Sequence, residues 1–130
     1  MSRIFVYGSL RGPGVNHHYL LSSRFIAKAY AKGALYRING YSYPALLEGE
    51  AWITGELYEV DAQTEKQLDE LEGYIAEEHP DNIYHKRLTD IVDENLNPLG
   101  KAYVYVFNAD AVRAKHLTYE PILENDYFPQ

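Results

Sequence analysis

Apolar and polar positions alternate along much of this chain, and the alternation gathers into five strand patterns at residues 3–7, 33–38, 52–60, 84–92 and 101–107. Each is rich in Val, Ile, Tyr, Phe or Thr, which suit a pleated, half-buried surface. Between the last two, Asp93-Glu94-Asn95-Leu96-Asn97-Pro98-Leu99-Gly100 has the Asn, Pro and Gly content of a turn, so these strands are expected to pair as an antiparallel hairpin. Helical spacing is scarcer: a short stretch at 15–25, a clear one at 62–72 and a third at 109–117. The balance predicts an α+β fold. No Ser/Gly linker, repeat or low-complexity tract divides the chain, so residues 1–130 are expected to form a single domain, enough to bury roughly two-thirds of the unfolded surface. The longest polar insertion, Ala76-Glu77-Glu78-His79-Pro80-Asp81-Asn82, reads as a mobile surface loop.

The helix at 62–72 is bounded at both ends, with Asp61 as N-cap and Gly73 in the position after its last turn. Glu72 falls about 40° from Leu68 around the helix axis, near the apolar stripe. Glu65 shares roughly that face two turns earlier, and periodicity does not choose between them. Position along the helix helps: a carboxylate in the last turn opposes the helix dipole, and burial there would raise its pKa further. That is a poor structural choice but a suitable one for an acid/base, which needs its pKa tuned upward from about 4.3. On the residues alone, a solvated last-turn glutamate is the commoner reading and stays open, since the same helix carries Asp61, Glu65, Asp69 and Glu70.

The first strand stops abruptly in Val6-Tyr7-Gly8-Ser9-Leu10-Arg11-Gly12, a small-residue turn carrying a phenol, a hydroxyl and a guanidinium. Gly8 allows the backbone to approach a ligand closely, and successive N–H groups leaving a strand can form an anion-binding nest. Ser9 lacks the Gly-x-Ser-x-Gly setting of a hydrolase nucleophile, and the turn lacks the Lys-Ser/Thr ending of a phosphate-binding loop.

Net charge and composition narrow the function classes. The formal charge of −7 and pI near 5.1 argue against a partner held by phosphate neutralisation, so no nucleic-acid role is expected. With no cysteine, disulfides, thiol catalysis and cysteine-based zinc sites are excluded. His17 and His18 are adjacent, without the His-x-x-x-His spacing of a metal site, and no metal is expected. Met1-Ser2-Arg3 leads directly into a strand pattern, and no apolar run approaches the ~20 residues a spanning helix needs, so a soluble, cytoplasmic protein without membrane contact is expected. The 13 tyrosines suit a β-rich core or a wet pocket.

Taken together, Tyr7-Gly8-Ser9-Leu10, Gly55-Glu56-Leu57-Tyr58, Leu68-Asp69-Glu70-Leu71-Glu72-Gly73-Tyr74 and Tyr84 with Lys86 and Arg87 resemble the gamma-glutamylcyclotransferase-like family over nearly the whole chain. The first and third of these, in that order and about 60 residues apart, are the most specific. The resemblance implies a small mixed β-barrel with a few packed helices and a cavity where the first strand's turn meets the acid-bearing helix. It implies that Tyr7, Gly8, Ser9 and Leu10 hold the γ-glutamyl group, largely through backbone, and that Glu72 is the acid/base. Tyr84 matches a pocket tyrosine of the family. Arg11 can pair with a substrate α-carboxylate as a two-pronged donor. Tyr43 and Tyr103 are weaker candidates. The implied reaction is ring closure of a γ-glutamyl amide to 5-oxoproline, releasing an amine or amino acid without metal or organic cofactor.

A non-catalytic module binding an amino-acid-like ligand or a partner-protein tail is the alternative, and Glu72 argues against it. The acidic, Tyr-rich stretch 118–128 can serve as an interaction surface. The overall negative charge favours a cationic leaving portion, subject to the local charge at the pocket. A monomer is the default expectation.

Overall fold

The computed structural model describes residues 1–12, 14, 16–41 and 43–126. Its strands are β1 (Ser2–Val6), β2 (Arg24–Ile38), β3 (Pro44–Val60), β4 (Tyr84–Val92), β5 (Pro98–Phe107) and β6 (Tyr119–Pro121), with α1 (Ala62–Leu71) between β3 and β4. The fold is mixed α+β and dominated by strands. In the sheet order β3-β1-β5-β4-β2-β6, β2 also pairs with β3, so the pairings return to the strand where they began. β1 and β5 run parallel, and the other paired strands run antiparallel, including the expected β4–β5 hairpin.

Two of the strands are much longer than their sequence patterns. β2 begins nine residues before the pattern at 33–38, and β3 begins eight before that at 52–60. Ala27, Ala29, Ala31, Lys28 and Lys32 have little strand preference of their own. Pairing from Arg24↔Glu59 to Arg37↔Pro44, interrupted by irregularities after Phe25 and Gly33, overrides that preference.

The helical expectations at 15–25 and 109–117 are corrected. Within them the described residues form only short 3₁₀ turns, His17–Leu20 and Val112–Ala114, neither with a side-chain cap; Val15 lies outside the described residues. One uncapped turn does not repay helix nucleation, and from Arg24 the chain is already committed to β2. At 118–128, Tyr119–Pro121 pairs with β2 and Ile122 is buried, while residues 127–130 lie outside the described set. Among the described residues no helix is long and apolar enough to cross a membrane.

β1 is buried on both faces. Ile4 and Val6 join a core with Leu68 of α1, Val60, Tyr84, Tyr105 and Phe107. Phe5 and the following Tyr7 join a second core built from β2, β3, β4 and β5 through residues such as Ala29, Ile53, Ile91 and Val104. This alternation fixes the register of β1, and with it the position of the turn at its end.

Candidate active site

Local chemistry sets both ends of α1. Asp61 accepts a hydrogen bond from the Thr64 N–H at 2.7 Å, capping the N-terminus. At the other end Glu72 is the C-cap and Gly73 adopts φ +64°. The Gly73 N–H donates to Glu70 C=O at 3.2 Å and the Tyr74 N–H to Asp69 C=O at 2.9 Å, which is a Schellman closure. Glycine is required twice over, by the positive φ and because a Cβ would lie 2.7 Å from Ile83. The next strand is fastened to this cap: the Ile83 N–H donates to Gly73 C=O at 3.0 Å and the Tyr84 N–H to Glu72 C=O at 3.2 Å. Glu72 and Tyr84 are thereby held side by side.

The turn after β1 is folded by its own backbone. Gly8 C=O accepts from the Arg11 N–H at 3.1 Å and Ser9 C=O from the Asn16 N–H at 3.0 Å, while Asn16 Nδ2 donates to Ser9 Oγ at 2.8 Å. A Cβ on Gly8 would come within 3.2 Å of Pro44, so the close passage of these segments favours glycine there. Glu56 Oε1 accepts from both the Gly12 N–H and the Tyr58 hydroxyl, each at 2.9 Å, anchoring the turn to β3.

These elements enclose a narrow pocket of about 40 Å³ lined by Tyr7, Gly8, Ser9, Leu10, Glu72 and Tyr84, with Tyr43, Pro44 and Tyr105 among its other walls. The Tyr7 hydroxyl donates to Tyr105 C=O at 2.5 Å, and the Tyr84 hydroxyl to Pro44 C=O at 2.6 Å. Burial pushes the Glu72 carboxyl up to about 7. Burial first, then the negative charge of Glu72, holds the Tyr7 phenol well above its ordinary pKa. The pocket therefore holds a carboxyl that can exchange a proton near neutrality beside a phenol that stays protonated.

A charged network stands beside this pocket. Asp69 accepts from the Tyr105 hydroxyl at 2.7 Å and lies 3.1 Å from Lys86 Nζ; Lys86 also pairs with Glu65, which accepts from Ser2 Oγ at 2.6 Å. Burial alone would raise the Glu65 pKa, but its bonds to Lys86 and Ser2 carry it below the ordinary carboxylate range. Burial alone would lower Lys86, but Glu65 and Asp69 carry it upward.

Residues 4–128 match the family described as gamma-glutamyl cyclotransferase, AIG2-like. The chain belongs to that family. It is 40% identical over 108 residues to MJ1514 of Methanocaldococcus jannaschii, covering 81% of this chain and 85% of that one. It is 35% identical over 106 residues to the gamma-L-glutamyl-butirosin B gamma-glutamyl cyclotransferase of Niallia circulans, covering 81% and 67%. The crystal structure of a mouse AIG2-like protein superposes with TM-score 0.69 over all of this chain and 97% of that one; at 24% identity this likeness concerns the fold alone.

Of the residues that the resemblance to the gamma-glutamyl cyclotransferase family singled out, Tyr7, Gly8, Ser9, Leu10, Glu72 and Tyr84 line one pocket, and Tyr43 joins them. Arg11 does not line it and instead pairs with Asp126. Tyr103 lines a separate groove with Tyr74, Glu77, Glu78 and Lys86. The 76–82 segment borders that groove: Asn82 accepts from the Ile75 N–H at 2.6 Å and donates to Ala76 C=O at 2.8 Å, and Arg87 donates twice to Glu78. Sequence reasoning missed Tyr105, for which the period-2 pattern of β5, placing it on the face of Tyr103, carried the only signal. Glu56 stood in the Gly55-Glu56-Leu57-Tyr58 motif, but nothing local marked it as the anchor of the turn.

Proposed function

We propose that this protein closes γ-glutamyl amides to 5-oxoproline, with Glu72 as the acid/base. The observation that carries this reading is the Glu72 carboxyl, poised near neutrality by burial in the pocket lined by the Tyr7-Gly8-Ser9-Leu10 turn. The substrate's α-amino nitrogen attacks its own γ-carbonyl carbon, forming the lactam C–N bond. Glu72 takes the proton that the attacking nitrogen loses and returns it to the leaving nitrogen as the original amide C–N bond breaks. Nucleophile and electrophile occupy one molecule, so the pocket's main task is to hold the chain folded back on itself, and no cofactor is called for. Backbone amides of Gly8 to Leu10 serve as donors to the charged substrate head or the developing oxyanion. Tyr84 and Tyr7, fixed by hydrogen bonds to backbone carbonyls, shape the walls. We read the ring of strand pairings as the small mixed β-barrel on which this site is mounted.

Incubation with a panel of γ-glutamyl amino acids and amines, with 5-oxoproline measured by mass spectrometry, tests the reading. Wild-type turnover that a folded Glu72→Gln variant lacks supports it. No 5-oxoproline across the panel, with ligand binding retained, would replace it with a non-catalytic binding module.

A further inference from the structure

The narrow pocket opens outward into a wider recess of about 210 Å³ that shares Ser9, Tyr43, Glu72 and Tyr84 with it and adds Asn16, Leu71 and Ile83. Three large apolar side chains from three separate segments meet there, all substantially exposed: Leu71 at 37%, Tyr43 at 38% and Ile83 at 39%. Scattered exposed apolar residues are ordinary, but their convergence at the mouth of a pocket holding a titratable acid is the signature of a binding wall. Each is held in place. Leu71 sits on the last turn of α1, where the helix dipole would favour a Lys or Arg. Ile83 is pinned through its N–H to Gly73, and Tyr43 packs edge-on against Tyr84 with centroids 6.5 Å apart.

Among the described residues lining this recess, Glu72 carries the only charge. A second ammonium on the departing amine would find only the carboxylate that the reaction itself uses, and a carboxylate there would find no cation. The neutral polar wall is the Asn16–Ser9 pair. Resting on the reaction proposed above, we infer that this recess is the leaving-group subsite and that it selects γ-glutamyl amides of uncharged, apolar amines. The chain's net charge of −7 alone points to a cationic leaving portion, but the local walls decide what is desolvated.

The test compares kcat/KM for γ-glutamyl amides of isoamylamine, phenethylamine, ethanolamine and putrescine, and for γ-glutamyl-leucine, in wild type and Leu71→Ser. Isoamyl and phenethyl amides are expected to exceed the ethanolamide about tenfold or more. The putrescine and leucine compounds should fall below the isoamyl amide by a similar factor, and Leu71→Ser should shrink the isoamyl-to-ethanolamide ratio severalfold. A ratio of one or less, or fastest turnover of the charged compounds, overturns the inference. If no compound yields 5-oxoproline, the proposed reaction falls and dissociation constants decide the subsite. Tenfold tighter binding of the apolar amides sustains it, and a flat ranking overturns it.

Discussion

Glu65 and Glu72 lie seven residues apart on roughly one face of the same helix, and the fold gives them opposite electrostatics. Glu65 meets Lys86 and the Ser2 hydroxyl, and these hold it ionised below the ordinary carboxylate range. Glu72 sits at the C-cap, has no cation partner among the described residues, and is pushed up to about 7 by burial. The carboxylate that struts the fold is matched to a cation; the one lining the pocket is left with its charge unfavourable.

Neutralising each carboxyl in turn tests whether the two differ in function. Glu72→Gln is expected to lower kcat/KM for 5-oxoproline release about a thousandfold, within the usual range for loss of an acid/base, whereas Glu65→Gln should cost less than about tenfold. Equal losses would mean that the two carboxyls are not functionally distinct. In wild type the acid limb of the kcat/KM profile should fall near pH 7, since in the proposed reaction Glu72 acts first as a base.

The paired side is tested through its cation. The Lys86 side chain is 9% exposed, and Lys86→Met leaves Glu65 and Asp69 partly buried without it. Loss of about 2–3 kcal/mol in denaturant unfolding at pH 7 is expected, below the cost for a fully buried pair because both carboxylates retain some solvent. The depressed Glu65 pKa contributes stability above the ordinary carboxylate range, lost as pH falls through its folded value. The penalty should therefore shrink toward pH 3.

The unpaired side has the reverse sign. A carboxyl raised from its ordinary value to about 7 favours the fold fully below its unfolded pKa, and that contribution disappears as pH rises through 7. Glu72→Gln should then be about 3 kcal/mol more stable than wild type at pH 8 and nearly equal to it at pH 4. A variant equally stable or less stable at pH 8 would show that the carboxyl is solvated after all.

Local signals carried much of this in advance. Asp61 and Gly73 bounded α1 because capping and positive φ are properties of single residues, and the β4 pattern at 84–92 matched its strand because alternation is local. The alanine- and lysine-bearing half of β2 was invisible because its strand state comes from pairing with β3. The turn after β1 and Glu72 were legible as motifs, yet periodicity could not separate Glu72 from Glu65. Their difference lies in Lys86, which β4 brings beside one and not the other. Arg11 was expected to face a substrate carboxylate, and its pairing with Asp126 was not legible because that residue is more than a hundred positions away.

The smallest expected effect concerns the joint between the two regions. Tyr105 reaches both: its hydroxyl donates to Asp69 in the charged network, and its carbonyl accepts the Tyr7 hydroxyl at the pocket. Burial first, then the bond to Asp69, holds its phenol far above the ordinary pKa, so it remains a donor throughout the working range. Tyr105→Phe removes the first contact and spares the second, which is backbone. A loss of about 1 kcal/mol in stability is expected, with kcat/KM lowered no more than severalfold and the pH 7 limb unmoved. Displacement of that limb would mean that the network reaches Glu72 through Tyr105, and that the two ends of the helix form one electrostatic unit rather than two.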